Sequence, residues 1–312
     1  MPFLRQHQSE LDSNVTPDFG SDRRANLVGS LWMVAAMAAF AVEDAFIKAA
    51  SVTLPIGQVL VVFGTGGAIV FFLLAQLNGD TLYNSDVVSR PMRIRALFEI
   101  TGRLFYGLAI ALTPLSAATV ILQAAPLVVV AGAALIFREK VGWRRWAAIF
   151  IGLAGVIVII KPGTDSFSAL SILALIGMIG FAGRDLASRA APVSISTNIL
   201  GIYGFLSVIV AGVVFALWDG AAFRWPSWHV SVFLLGAILA GVVAYTSLMK
   251  AMRTGEVSAV TPFRYTRLVF GIALGIVVFG EQLSLSMIVG SGLIVLSGLF
   301  ILWRGKKTDQ VL

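Results

Sequence analysis

The recurrence of apolar blocks about twenty residues long constrains this chain more than any other feature. A helix rises about 1.5 Å per residue, so about twenty apolar residues cross a hydrocarbon core of about 30 Å. Ten blocks are marked, at roughly 26–49, 56–77, 95–112, 115–137, 143–161, 169–189, 196–217, 229–251, 257–279 and 286–303. Their connections are short, apart from 78–94 and 218–228. In lipid every backbone amide needs an internal partner, and blocks of this length meet that need as helices rather than barrel strands. Composition agrees. Of 312 residues 58% are hydrophobic and 12% charged, about half the ~25% charge of a soluble domain. The expected fold class is an all-α membrane protein with ten transmembrane helices.

Several chemistries lack their residues. With no cysteine there is no disulfide, thiolate metal site or redox pair. The two histidines are His7, in a polar tail, and His229, beside a predicted helix end, so a HExxH metal site or a histidine-based triad is not available. There is no GxxxxGK[ST] phosphate loop. No cofactor and no metal are expected. The first 25 residues are polar and mixed in charge, unlike a cleaved signal, and the first apolar block holds Glu43, Asp44 and Lys48, which reads as a true span.

The placement of Lys and Arg sets the orientation. With a cytoplasmic amino terminus, sixteen of the 23 basic residues fall on inner segments. Only Lys48, Lys161 and Arg224 fall on outer ones, and Arg103, Arg184, Arg264 and Arg267 lie within spans. Both termini are therefore expected inside a plasma (inner) membrane. The net charge of +7 reflects cytoplasmic loops against anionic headgroups, not a nucleic-acid surface. Six tryptophans (Trp143, Trp146, Trp218, Trp225, Trp228 and Trp303) fall near predicted span ends, as an interfacial belt requires.

The chain also repeats itself. Phe40–Asp44 and Lys48–Ala50 match Phe181–Asp185 and Arg189–Ala191 at an offset of 141. Ser116, Ala117 and Thr119 match Ser258, Ala259 and Thr261 at 142, as Phe137 and Glu139 match Phe279 and Glu281. Each half holds five spans, an odd number, so the second half must enter the membrane from the opposite side. The expected domains are a polar cytoplasmic tail 1–25, a first five-helix repeat 26–165, an inverted second repeat 166–303 and a cytoplasmic tail 304–312. Inverted halves can open one central site alternately to each side, which is the device of a carrier.

Ten spans in two halves, each fourth span ending in Glu139 or Glu281 and followed by a span with Gly152 and Gly155 or Gly290, Gly292 and Gly298, resemble the EamA-type drug/metabolite transporter superfamily. The resemblance covers nearly all of the chain after the tail. It implies a central cavity between the halves and transport without ATP, for substrates that include amino acids, nucleoside-type metabolites and vitamins such as riboflavin.

Within the spans, the charged residues stand out. Arg264 and Arg267 are three apart, on one helix face, about 10 and 15 Å deep. An arginine at the bilayer centre costs at least ~2.5 kcal/mol, so both must face a cavity or carboxylate partners. Their repeat counterparts are the neutral Leu122 and Ala125, so the scaffold does not need charge there. Arg264, Arg267, Arg184, Tyr265 and Tyr245 are the substrate-binding candidates, against structural ion pairing or snorkelling. Glu43, Asp44 and Asp185 are the proton- or ion-coupling candidates. Asp44/Lys48, Asp185/Arg189 and Glu99/Arg103 read as local i,i+4 pairs, and an Asp185–Arg264 pair is geometrically open. Glu139 and Glu281 suggest a shared structural role at helix ends. The glycine groups at 64–67, 177–183, 201–204 and 271–275 suggest close helix packing rather than phosphate cradles. Pro126 and Pro262 suit a kink.

The in-span charge balance favours anionic or zwitterionic substrates over simple cations, and cavity-lining aromatics would suit a flat heterocycle. The reading is a secondary transporter, not an enzyme, with an intramembrane enzyme or a channel as the alternatives. Its expected partners are a small-molecule metabolite and the lipid bilayer, without nucleic acid, and a homodimer is left open.

Overall fold

Apolar runs longer than a bilayer is thick become helices that outlast the hydrocarbon. The computed structural model describes residues 19–82, 85–136, 141–160, 169–189, 195–254 and 260–309, and among these all regular structure is helical. In chain order the α-helices are α1 (Phe19–Ser51), α2 (Ile56–Leu77), α3 (Arg90–Leu112), α4 (Leu115–Leu122), α5 (Ala125–Ile136), α6 (Trp143–Ile160), α7 (Ser171–Arg189), α8 (Thr197–Asp219), α9 (Trp228–Thr254), α10 (Thr266–Phe279) and α11 (Leu285–Asp309). Helix α1 begins inside the stretch expected to be a tail, and α11 runs on past residue 303.

Among the described residues, eight helical stretches are long and apolar enough to cross a membrane, and Leu285–Ile301 is a shorter apolar helix. Helix α3 is the exception, because Arg90, Arg93, Arg95, Glu99 and Arg103 share its 23 residues.

Two spans change their helical hydrogen bonding near their prolines. The fourth divides into α4 and α5 at Gln123–Ala124, just before Pro126. In the ninth, the described residues pass from Val260 through a 3-10 turn, Thr261–Tyr265, that holds Pro262 and leads without interruption into α10. Proline lacks the amide donor and disfavours helical geometry at the residue before it. The two changes coincide under the repeat offset, since Gln123 corresponds to Tyr265.

Each helix packs chiefly on a helix of the other half: α1 on α9, α2 on α8, α3 on α7, α6 on α11 and α4 on α10. All five pairs run antiparallel. Lys250 lies over the Trp32 ring while Phe46 meets Phe233. Gln58 meets Arg224 while Phe71 meets Phe205. Arg95 meets Ser188 while Tyr106 meets Phe181. Ser116 meets Glu281 while Gln123 meets Arg264, and Gly152 meets Ser297 while Gly155 meets Gly290. Helices α2 and α8, α4 and α10, and α6 and α11 are repeat counterparts, so these counterparts cross each other head to tail.

The core therefore lies between the halves. Phe63, Leu115, Ile121, Leu127, Ile149, Met178 and Ile294 are fully buried there. Close approach depends on missing side chains. A Cβ on Gly180 would collide with the backbone of Gly102 where α3 crosses α7. Gln58, a buried polar residue of α2, donates to the Arg224 carbonyl at 2.6 Å and accepts its amide at 2.9 Å, which ties down the connection between α8 and α9.

Candidate functional site

Helix α3 supplies the frame of a charged layer between the halves. Arg95, Glu99 and Arg103 recur every four residues and share one face. Arg103 Nη1 donates to Glu43 Oε1 of α1 at 3.0 Å, and its Nε lies 3.5 Å from Glu99 Oε1. The same Glu99 oxygen accepts from Arg184 Nη1 of α7 at 3.2 Å. Arg95 reaches Glu99 Oε2 at 3.7 Å and donates to the Ser188 hydroxyl at 3.0 Å. Positions 43 and 184 are repeat counterparts of opposite charge, and α3 answers them with an arginine and a glutamate one turn apart.

The ninth span brings in two more arginines. Arg267 Nη2 donates to Asp44 Oδ2 at 2.6 Å, and the Tyr106 hydroxyl donates to the same oxygen at 3.0 Å. The Arg267 guanidinium also lies over the Phe40 ring at 5.0 Å and the Tyr106 ring at 5.6 Å, within cation–π range. Arg184 donates to its neighbour Asp185 at 2.8 Å and lies over Phe181 at 4.9 Å. Asp185 Oδ2 stands 3.6 Å from Arg264 Nη1.

These pairs are not equally held. The Asp44 and Arg267 side chains are 3% and 13% exposed, and Glu43 is 1% exposed. Asp185 and Arg264 are 25% and 29% exposed and sit farther apart. Arg264 is thus the guanidinium most free to change partner. With every group ionised, Glu43, Asp44, Glu99 and Asp185 face Arg95, Arg103, Arg184, Arg264 and Arg267, an excess of one positive charge. Among the described residues, buried polar atoms of the layer such as Glu43 Oε2 and Arg267 Nε have no hydrogen-bond partner. Buried polar atoms left unpaired in this way need a reason.

The interruption of the fourth span touches the 3-10 turn of the ninth. The side-chain amide of Gln123 donates to the backbone carbonyl of Arg264 at 2.9 Å. A departure from α-helical bonding in lipid releases backbone groups that must be satisfied internally, and Gln123 does that for the turn that carries Arg264.

The expected site residues are only partly brought together. Arg264, Arg267, Arg184, Glu43, Asp44 and Asp185 join one network, and the Asp185–Arg264 pair forms. Tyr245 packs its ring edge-on against Phe71 at 5.5 Å with its hydroxyl toward Arg95, Glu99 and Arg184, whereas the Tyr265 hydroxyl turns away and abuts Gly298 of α11. The local Asp44/Lys48 pair gives way to long-range partners. Asp44 turns to Arg267, and Lys48 donates to the carbonyls of Ile110 at 3.1 Å and Thr113 at 2.5 Å. A desolvated carboxylate gains more from a fixed guanidinium and a tyrosine hydroxyl than from a flexible ammonium on its own helix. The Arg189 side chain and Glu139 lie outside the described residues. The 64–67 glycines admit Phe205 and Ile209 of α8 and Ile238 of α9, which is packing rather than a phosphate cradle.

Sequence reasoning missed Gln123, Arg95 and the bridging role of Glu99. One signal was present. A pair of matched positions with opposite charge needs a partner element bearing both signs, and the 95–103 segment is such an element.

Two consecutive regions, residues 27–161 and 169–303, match the EamA-like transporter family. The chain belongs to the EamA-like transporter family. It is a multi-pass membrane metabolite transporter and not an enzyme. Its relatives include a riboflavin transporter of Vibrio cholerae serotype O1, 27% identical with 91% of this chain and 96% of that protein covered. An S-adenosylmethionine uptake transporter of Rickettsia prowazekii is 26% identical over 72% of this chain and 76% of its own length. The pseudopaline exporter CntI of Pseudomonas aeruginosa is 25% identical over 89% and 97%. A crystal structure of 17% identity has a TM-score of 0.59, with 88% of this chain and 95% of that chain covered. It shares the fold of this EamA-like transporter.

Proposed function

We propose that this EamA-like transporter is a ten-span secondary carrier. Its two inverted five-span repeats, about 26–165 and 166–303, would open one central site alternately to each side of the plasma (inner) membrane, with both termini in the cytoplasm. The antiparallel crossing of counterpart helices supports the inversion, and the sixteen-to-three distribution of basic residues supports the orientation. Carriers of this kind place their sites where discontinuous helices meet near the midplane. The interruption of the fourth span at Gln123–Ala124, bonded to the 3-10 turn of the ninth at Arg264, supports a site there.

The substrate is a small, flat organic metabolite with anionic, zwitterionic or strongly hydrogen-bond-accepting groups, such as riboflavin, a nucleoside-type metabolite or an amino acid. The long, open Arg264–Asp185 pair carries this reading. An arriving acceptor takes Arg264 from Asp185, with Arg184 behind it and Phe181 and Tyr245 nearby, and Tyr265 on the Arg264 turn. Asp185, Glu43 and Asp44 exchange a proton or cation as the site changes sides, and Arg267 holds Asp44 between turnovers. Two riboflavin transporters among the relatives, from V. cholerae and Rhizobium johnstonii, match 91% of this chain each and put riboflavin first in the panel.

Purified protein in liposomes tests this with labelled riboflavin, S-adenosylmethionine, nucleosides and amino acids. Saturable uptake with counterflow of one of them is the expected result, and Arg264→Ala raises its apparent KM at least about tenfold, as for a lost charge-assisted hydrogen bond of ~1.5–3 kcal/mol. Single-channel current would show a pore instead. Wild-type kinetics in Arg264→Ala would remove that residue from the site.

A further inference from the structure

One end of the helix cluster is closed by contacts that the substrate site does not use. Glu281 follows the Gly280 C-cap of α10, whose φ of 65° turns the chain back toward the other half. Its carboxylate accepts the Leu115 amide at 2.6 Å, the Ser116 amide at 3.0 Å and the Ser116 hydroxyl at 2.6 Å. It thus caps the start of α4 from the opposite repeat. An anion at a helix N-terminus is favoured by unpaired amides and by the helix dipole. Gly275 leaves the room this needs, since a Cβ there would strike the carboxylate. Beside it, Lys48 holds the last carbonyls of α3 and lies over the Phe279 ring at 5.4 Å. The ends of α1, α3 and α10 and the start of α4 are tied together here by a few polar bonds.

Helix α4 has the anatomy of a moving part. It is eight residues long, capped at one end by Glu281 and ended at the other by the Gln123–Ala124 break. Leu115, Ser116 and Thr119 are fully buried behind the cap, and Thr119 rests against Gly271 of α10. At the opposite side of the layer, by contrast, Arg264 and Asp185 remain partly open.

We propose that Glu281 is the closing residue of the extracytoplasmic gate. Its carboxylate latches α4 across the repeat interface, and the pathway opens outward when α4 swings on the break at residues 123–124. Naming this end extracytoplasmic rests on the topology proposed above.

The absence of cysteine permits a test with single cysteines and no background, independent of substrate. Thr119→Cys and Ser247→Cys are near-isosteric changes at buried positions, and Ala222→Cys is exposed on the 220–227 connection. In intact cells a membrane-impermeant maleimide should label Ala222→Cys and barely label Thr119→Cys. Adding Glu281→Gln should raise the rate at Thr119→Cys at least fivefold and leave Ser247→Cys unreactive. Ser116→Ala, which removes one donor and keeps the fold, should give a smaller rise of the same kind. An unchanged rate at Thr119→Cys in both backgrounds would overturn the latch. So would a parallel rise at Ser247→Cys, which marks general loosening. If Ala222→Cys reacts only from the cytosol, the topology has failed, and the same rates read from that face decide the latch.

Discussion

Arg264 and Arg267 are three residues apart, yet their environments assign them different work. Arg267 is locked between Asp44, Phe40 and Tyr106, whereas Arg264 stands 3.6 Å from Asp185, its ion-pair partner among the described residues. Removing one member of a buried ion pair strands the other, at a cost of about 3–5 kcal/mol. Arg267→Ala should therefore lower the thermal midpoint of the detergent-solubilised protein, and the double variant Asp44→Asn, Arg267→Ala should recover part of the loss. Arg264→Ala should leave the midpoint within a degree or two and act on transport. Equal destabilisation by the two single variants would contradict this division. Both arginines were visible in the sequence as charges that could not face lipid. Which carboxylate each one meets depends on α1 and α7, more than seventy residues distant, and on the 261–265 turn.

At the scale of helices, the crossings depend on what glycine leaves out. Gly180 faces the Gly102 backbone so closely that Gly180→Ala must push α3 and α7 apart, while a Cβ on Gly204 meets nothing within 4 Å. Gly180→Ala should cost about 1–3 kcal/mol as overpacking, and Gly204→Ala should be neutral or slightly stabilising through helix propensity. Melting of the two variants side by side checks this, and the order would invert if packing at the α3–α7 crossing were loose. The proline sites are a second property of elements. Gln123→Leu removes the donor to the Arg264 carbonyl and should lower both stability and affinity, whereas Gln123→Asn should lower affinity alone if its shorter amide still reaches a partner in the break. Pro126 and Pro262 announced kinks in the sequence, but a proline alone does not say whether a helix bends or parts. The fourth span parts at Gln123–Ala124 while the ninth only tightens to a 3-10 turn, and the Gln123 amide bonds that turn from the other half.

For the whole molecule, the five antiparallel pairs each join one half to the other, so neither half can bury its apolar surface alone. Expressed separately, 1–165 and 166–312 should each be degraded, and co-expression should restore a folded pair; a stable, monodisperse first half by itself would contradict the interdigitated packing. Length and periodicity of the apolar blocks determined the helical class, because a bilayer admits few other ways to satisfy backbone amides. The 141–142 offset, with five apolar blocks in each half, led from sequence to the expectation that the repeats oppose each other, a matter of parity rather than of contacts. The charges that could not face lipid were also legible one by one. Pairing was decided only in three dimensions. Asp44 prefers Arg267 to Lys48, Glu99 serves three arginines, and Glu281 caps α4, because each charge lowers its energy with the nearest rigid partner that folding brings to it, and sequence separation does not measure that distance.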